Sequence, residues 1–303
     1  MLSMKNIGIS LAVSALGFGL GWFVGNTWLA GIPTFIIAFC IVFFLLTRRT
    51  MRKLEAVLKS AGEEGQKAQK AQHPKDAVRY IQSALEILEN GLALSKEQFG
   101  LEALIHSQMG AMHYQLAGMS YQQKSVAEMQ RQTSEVSKHT KEAKKRFQVA
   151  KSHLEVAAAS AWVSKITRSW HAAGMLASLK CRDGHHEEAL EIMSGMRGPG
   201  APDSMYWALR SYIALKADNP MDALLFVEEG KSKNPSSEPL TKLAEAISNK
   251  KEVEMFNLFG MNWFMFFPEE MTPRVMMQLQ QQGRVDSPPS NRAMRRAIKK
   301  KGM

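Results

Sequence analysis

Cysteine is nearly absent from this chain: Cys40 and Cys181 are the two in 303 residues. One lies in an apolar run and one in a helical stretch, so a disulfide framework is excluded and a reducing compartment suits the chain. No Cys-x-x-Cys pair exists, and two cysteines alone cannot make a zinc site. Phosphate-cradling GxxxxGK[ST], GxGxxG after a strand, the GxSxG elbow and the HExxH zinc spacing are missing as well. His185-His186-Glu187-Glu188 holds ligand-type residues, but adjacent helical positions diverge by about 100°. Glu187 and Glu188 at a helix start more simply complement its positive end. His106 and His113 fall two turns apart on one helix face, as packing or solvent-facing groups do. The sequence therefore assigns no catalytic residue, no cofactor and no metal ligand, and reads as non-enzymatic.

Charge is the second absence. From Ile7 to Gly25 and from Trp28 to Thr47, runs of 19 and 20 residues, there is no Asp, Glu, Lys or Arg. Each run is long enough to cross a hydrocarbon core of roughly 30 Å. Asn26-Thr27 alone separates them, which predicts a tight transmembrane hairpin over residues 1–50. Lys5 precedes the first run, while Arg48, Arg49, Arg52 and Lys53 follow the second. The positive-inside tendency then places both termini and everything after residue 48 in the cytoplasm. No small-x-small cleavage site precedes a polar segment, so a signal peptide fits less well. Gly17, Gly21 and Gly25 recur every four residues on one face, a spacing that lets membrane helices pack closely. That face serves either the chain's own second helix or a second copy. No acidic or basic side chain lies inside either run, which argues against a proton relay or ion pathway.

What is plentiful downstream is helical periodicity built on small residues. Trp207, Ser211 and Ala214 share one helix face, and Ala223, Val227 and Gly230 share the face of the next; Pro235 closes the unit. Ala189, Met193 and Met196 hold the corresponding places one unit earlier, and Ala189 precedes Ala223 by 34 residues. That period and pattern resemble the tetratricopeptide-repeat family. Arg210 and Ala214 depart from it, standing where the family usually has Leu and Tyr. The resemblance implies an all-α protein in which antiparallel helix pairs stack into a solenoid, because each pair exposes an apolar face that only its neighbour can bury. Ala77, Ile81 and Ala84 repeat the small–large–small spacing in a first pair spanning Lys53 to Leu94. Gly110 and then Ala143, Phe147 and Ala150 mark a second pair. There the gap from Gly110 to Ala143 is 33 residues, against about twelve in an ordinary repeat. The excess, Ser120 to Thr140, predicts a protruding helical arm near 119–142. With a capping helix at Ser237–Ser248, the helical-repeat domain covers 51–250.

Two further segments follow. Residues 251–283 are rich in aromatics and Met, and Phe256, Phe259, Trp263 and Phe267 fall on one helical stripe. The stripe is on the order of 20 Å long, too short to span a bilayer. It fits a segment folded back on the helices, a membrane-interface contact or a docking patch. Residues 284–303 form a flexible basic tail, in which seven Lys or Arg against Asp286 supply +6 of the formal +11. Arg292, Arg295, Arg296, Lys299, Lys300 and Lys301 suit any polyanion, whether anionic lipid or nucleic acid.

The expected function is a membrane-anchored adaptor that recruits cytoplasmic proteins, in assembly or quality control of a membrane complex. The layout is similar to bacterial inner-membrane tetratricopeptide proteins. Two alternatives are a self-assembling structural protein oligomerised through Gly17, Gly21 and Gly25, and a tether for nucleic acid or ribosomes working through the tail.

Overall fold

A computed structural model describes residues 5–25, 28–71, 73–97, 100–159, 170–195 and 203–278. The basic tail, the Gly-Pro segment 198–202, Met196 and residues 160–169 lie outside these. Every regular element among the described residues is helical. The first two helices are α1 (Lys5–Gly25) and α2 (Trp28–Lys70). They run antiparallel, since Asn6 near the start of α1 hydrogen-bonds Thr50 of α2, while Phe18 meets Gly31. Both are long and apolar enough to cross a membrane. Their outer faces are apolar: Phe23, Val24, Leu16 and Phe44 all stand exposed. The hydroxyls of Ser10 and Ser14 donate to carbonyls four residues back in α1, so their polar groups are satisfied inside the helix.

The boundary expected at residue 50 is not a break. α2 continues for 43 residues, on the order of 64 Å, from the apolar run into the packed helices. Arg48 to Leu54 contains neither Gly nor Pro, so nothing in the backbone stops the helix where the composition changes. Beyond Thr50 its inner seam is Leu54, Ala61 and Ala68, buried against α3 (Pro74–Gly91). The seven-residue spacing keeps that seam on one face. Ala77, Ile81 and Ala84 answer it from α3, and Gly91 lets α3 approach Val57 at a distance no Cβ would permit.

From there each helix packs on the next in chain order. α4 (Leu101–Met129) and α5 (Thr133–Ala158) form the longest pair, followed by α6 (Trp170–Arg182) with α7 (His186–Ser194), α8 (Ser204–Lys216) with α9 (Pro220–Lys233), and α10 (Glu238–Ser248). Small residues set the close approaches. A Cβ on Gly110 would lie 2.7 Å from Leu154 of α5, and one on Gly230 would lie 2.6 Å from Trp207. Ser211 of α8 donates to the Ala223 carbonyl of α9 at 2.9 Å, and Tyr206 of α8 to the Met193 carbonyl of α7 at 2.8 Å. Asp203 and Asn219 cap α8 and α9 through bonds from the backbone N–H groups of Tyr206 and Asp222. Pro235 stands exposed in the turn after α9.

The aromatic segment corrects the expectation of a single helical stripe. It makes one five-residue helix, α11 (Met255–Phe259), and then 3-10 turns over Gly260–Met265 and Pro268–Glu270. Gly260 adopts a φ of +60°, which ends α11 and reverses the chain. The segment folds back over α4, α6 and α8 and shares their core.

Candidate functional site

Three places gather chemistry, and the first is the foot of the α1–α2 hairpin. The Asn6 side-chain amide donates to Thr50 Oγ1 at 3.1 Å, and the Thr50 hydroxyl donates to Glu97 Oε2 at 3.0 Å. Lys53 Nζ reaches both oxygens of the same carboxylate, at 3.0 and 3.2 Å. The Asn6 backbone N–H also donates to the Glu97 carbonyl. Lys53 and Thr50 hold the Glu97 carboxyl below its usual range against the opposing pull of burial. α1, α2 and the turn before α4 are thereby fastened at one level, beside Lys5, Arg48 and Arg49.

The second place is built around Arg182 at the end of α6. Its guanidinium lies over Phe147 at 4.4 Å, Phe267 at 5.2 Å and Tyr114 at 5.3 Å, drawn from three separate stretches of chain. Nε and Nη2 donate to the two oxygens of Glu269, and Nη2 also donates to the Phe266 carbonyl. Tyr114 Oη donates to the same carbonyl. Nearby, Glu270 accepts from Tyr212 at 2.5 Å and from the Trp263 indole at 2.7 Å. Burial, then Glu270, raises the Tyr212 phenol above its ordinary range. Burial also pushes the Cys181 thiol up to about 11, which leaves it a poor nucleophile. Apart from Arg182 Nη1, which is buried with no hydrogen-bond partner among the described residues, the donors that converge here hold residues 263–270 in place. Gly174 makes room for Phe266, whose ring stacks on Trp170 at 5.3 Å.

The third place is a groove of ≈ 1370 Å³ between the first turn of α3 and the outer half of α5. Val78 and Leu116 give it apolar lining. Along α5 run Lys138, Lys141, Lys145 and Arg146, with Lys75 facing them from α3. Glu135 and Glu142 also line it, but they are occupied by Lys138 at 3.1 Å and Arg146 at 2.7 Å. Lys75, Lys141 and Lys145 make no ion pair among the described residues.

The arm expected near 119–142 is present as the ends of α4 and α5, turning at 130–132. One side of it is covered: Ser125 is buried and donates to the Met271 carbonyl of the returning segment. The groove occupies another side. The repeat-signature residues Ala77, Ala84, Gly110, Ala143, Phe147, Ala150, Ala189, Met193, Trp207, Ala223 and Gly230 are all buried at helix–helix contacts. Trp207 packs on Gly230 within its own pair. Arg210, at a position the family pattern fills with Leu, lays its guanidinium over Phe226 at 4.0 Å. Of Gly17, Gly21 and Gly25, Gly17 faces α2, where a Cβ would lie 3.2 Å from Ala38, and Gly25 is exposed. Gly31, opposite Phe18, is the tighter contact and lay outside the four-residue spacing. The expected aromatic patch is divided: Trp263 and Phe267 are interior, while Phe256 and Phe259 are half-buried.

His106 and His113 are packing groups that meet a third histidine from α5. His106 Nδ1 and His153 Nδ1 are 2.7 Å apart, and the His113 ring stacks on His153 at 5.5 Å. Burial lowers His113 to about 4, with His153 and Arg146 adding to the effect. Comparison with protein families, with curated proteins and with solved structures returns no match.

Proposed function

We propose that this chain is a membrane-anchored scaffold, in which α1 and the first half of α2 cross the bilayer as a hairpin. The remaining helices form a tetratricopeptide-like solenoid that recruits cytoplasmic proteins. The observation that carries the reading is the unbroken course of α2. A helix apolar enough to span a membrane over its first half is, in its second half, a buried wall of the packed helices. An anchor joined by a flexible linker would only tether; a shared helix also orients. The foot of the hairpin supports the same arrangement, because its polar network and flanking cations sit at one level where an interface would lie. The 34-residue offset between Ala189 and Ala223, and the small residues at each close contact, support the repeat geometry. The positive-inside tendency favours a cytoplasmic face, as in a bacterial inner membrane.

Carbonate extraction and cysteine labelling test the anchor. Cys40 should resist a maleimide in intact membranes and react after detergent. A Lys59→Cys variant should label with an impermeant reagent only when the cytoplasmic face is opened. Release of the protein by carbonate would overturn the anchor. Crosslinked affinity purification, with the full chain and with a chain ending at Gly283, tests the scaffold. A stoichiometric protein partner kept by both supports it. Recovery of only nucleic acid or lipid, lost with the tail, would place the function at the other end of the chain.

A further inference from the structure

We propose that the groove between α3 and α5 is the seat for an extended acidic segment of a protein partner, an inference that rests on the scaffold reading. Its charge is one-sided. Five Lys or Arg line it against two Glu, and both carboxylates are already paired within α5. Lys75, Lys141 and Lys145 are left facing the groove from both walls, exposed and without an ionic partner among the described residues. The first turn of α3 adds the positive end of an 18-residue helix, whose capping position His73 makes no side-chain bond to it. Asp76 in that turn is not part of the lining.

The dimensions suit an extended peptide. The lining on α5 runs from Ser134 to Arg146, about 18 Å of helix, which about six extended residues would cover. Val78 and Leu116 can take apolar side chains that alternate with the carboxylates. Other occupants fit worse. The chain's own tail carries +6 and would be repelled. A bilayer surface cannot enter a concavity. Single-stranded nucleic acid calls for aromatic stacking platforms, and among the described residues the lining offers no Phe, Tyr or Trp.

The test uses the full chain in nanodiscs, with fluorescein-labelled hexaglutamate as the probe and fluorescence anisotropy as the readout. Labelled hexaglutamine and hexathymidylate are the comparison ligands. Lys141→Glu with Lys145→Glu reverses two exposed charges, and Lys251→Glu is the reversal outside the groove. Hexaglutamate should bind and hexaglutamine should not. The double reversal should weaken binding at least about tenfold, because like charges then face each other, with Lys251→Glu within about twofold. No binding of hexaglutamate, or equal loss with Lys251→Glu, overturns the proposal. Stronger binding of hexathymidylate that the double reversal abolishes assigns the groove to a phosphate backbone and overturns it too. Purification of the crosslinked partner from membranes separates the two readings. A partner lost with the double reversal but kept with Lys251→Glu supports both. A partner kept by both variants leaves the scaffold standing and removes the groove from it. Absence of any partner from wild type overturns the scaffold, and this proposal with it.

Discussion

Replacing Arg182 with Met should loosen residues 255–271 from the helices while leaving the rest of the chain packed. Met keeps the apolar stem but deletes the charge, the paired bonds to Glu269 and the bond to the Phe266 carbonyl. Breaking a buried ion pair by removing one partner costs about 3–5 kcal/mol. The Glu269 side chain is still 28% exposed and can regain some water, which places the loss near the lower figure. Phe147, Phe267 and Tyr114 lose a cation that is worth about 0.5–2 kcal/mol, though not additively. A net loss of about 3 kcal/mol is therefore expected. Amide hydrogen exchange read by mass spectrometry on peptides covering 255–271 reports this directly, as exchange about 150-fold faster. Peptides from α2 and α3, whose contacts are in a separate core, should not change. Adding Glu269→Gln to Arg182→Met removes the stranded carboxylate, so the double variant should lose less than the two single losses together, by about 1–3 kcal/mol. Exchange within about threefold of wild type in Arg182→Met, or strict additivity in the double variant, would refute the role given to this pair.

Further outcomes follow from named contacts. Gly230→Ala gains about 1 kcal/mol of helix propensity but puts a Cβ 2.6 Å from Trp207, so a net destabilisation of about 1–2 kcal/mol is expected in urea unfolding. Gly62→Ala, in the same kind of helix but with nothing within 4 Å, should instead stabilise by up to about 1 kcal/mol. Protonation of His113 is disfavoured in the folded chain, so the unfolded chain binds more protons below pH 6.5. Stability should be full above that value and fall as the pH drops toward about 4, and His113→Gln should flatten the fall. His153, also lowered by burial and by His106, contributes with the same sign. Thr50→Val leaves the Asn6 amide and one Glu97 oxygen without this partner in a buried setting, and should cost about 1–3 kcal/mol by thermal unfolding in detergent.

Much of the helical order was legible because apolar and small residues recur with the helix period. Ala77, Ile81, Ala84, Ala143, Phe147, Ala150 and Ala223 all lie where that period put them, in the interior. Membrane length was legible from missing charge alone. The remainder failed for identifiable reasons. The composition change at Arg48 marks a change of surroundings, and composition carries no information about whether the backbone stops there. In residues 255–267 an apolar stripe was visible, but the chain turns at Gly260 with a positive φ, and Trp263 and Phe266 are buried in the core of distant helices. The capturing groups lie 84 and 87 residues away in the case of Arg182 with Phe266 and Glu269, and no local pattern reports such a pairing. Gly31 was missed because its requirement comes from Phe18 of the opposite helix rather than from its own spacing.

These unread features share a consequence. α2 is fastened to α1 at Asn6, to the turn before α4 through Glu97, and to α3 along Leu54, Ala61 and Ala68. The direction of its apolar half therefore fixes the direction of the first packed pair, and the groove between α3 and α5 turns with it. The C-terminal segment packs over α4, α6 and α8 and joins their core. On the proposed reading, a scaffold held in the bilayer through this shared helix would present its groove at a set height and angle to the membrane. On the same reading, that geometry would favour a partner which is itself held at the membrane, since such a partner gains from a fixed approach what a freely diffusing one does not.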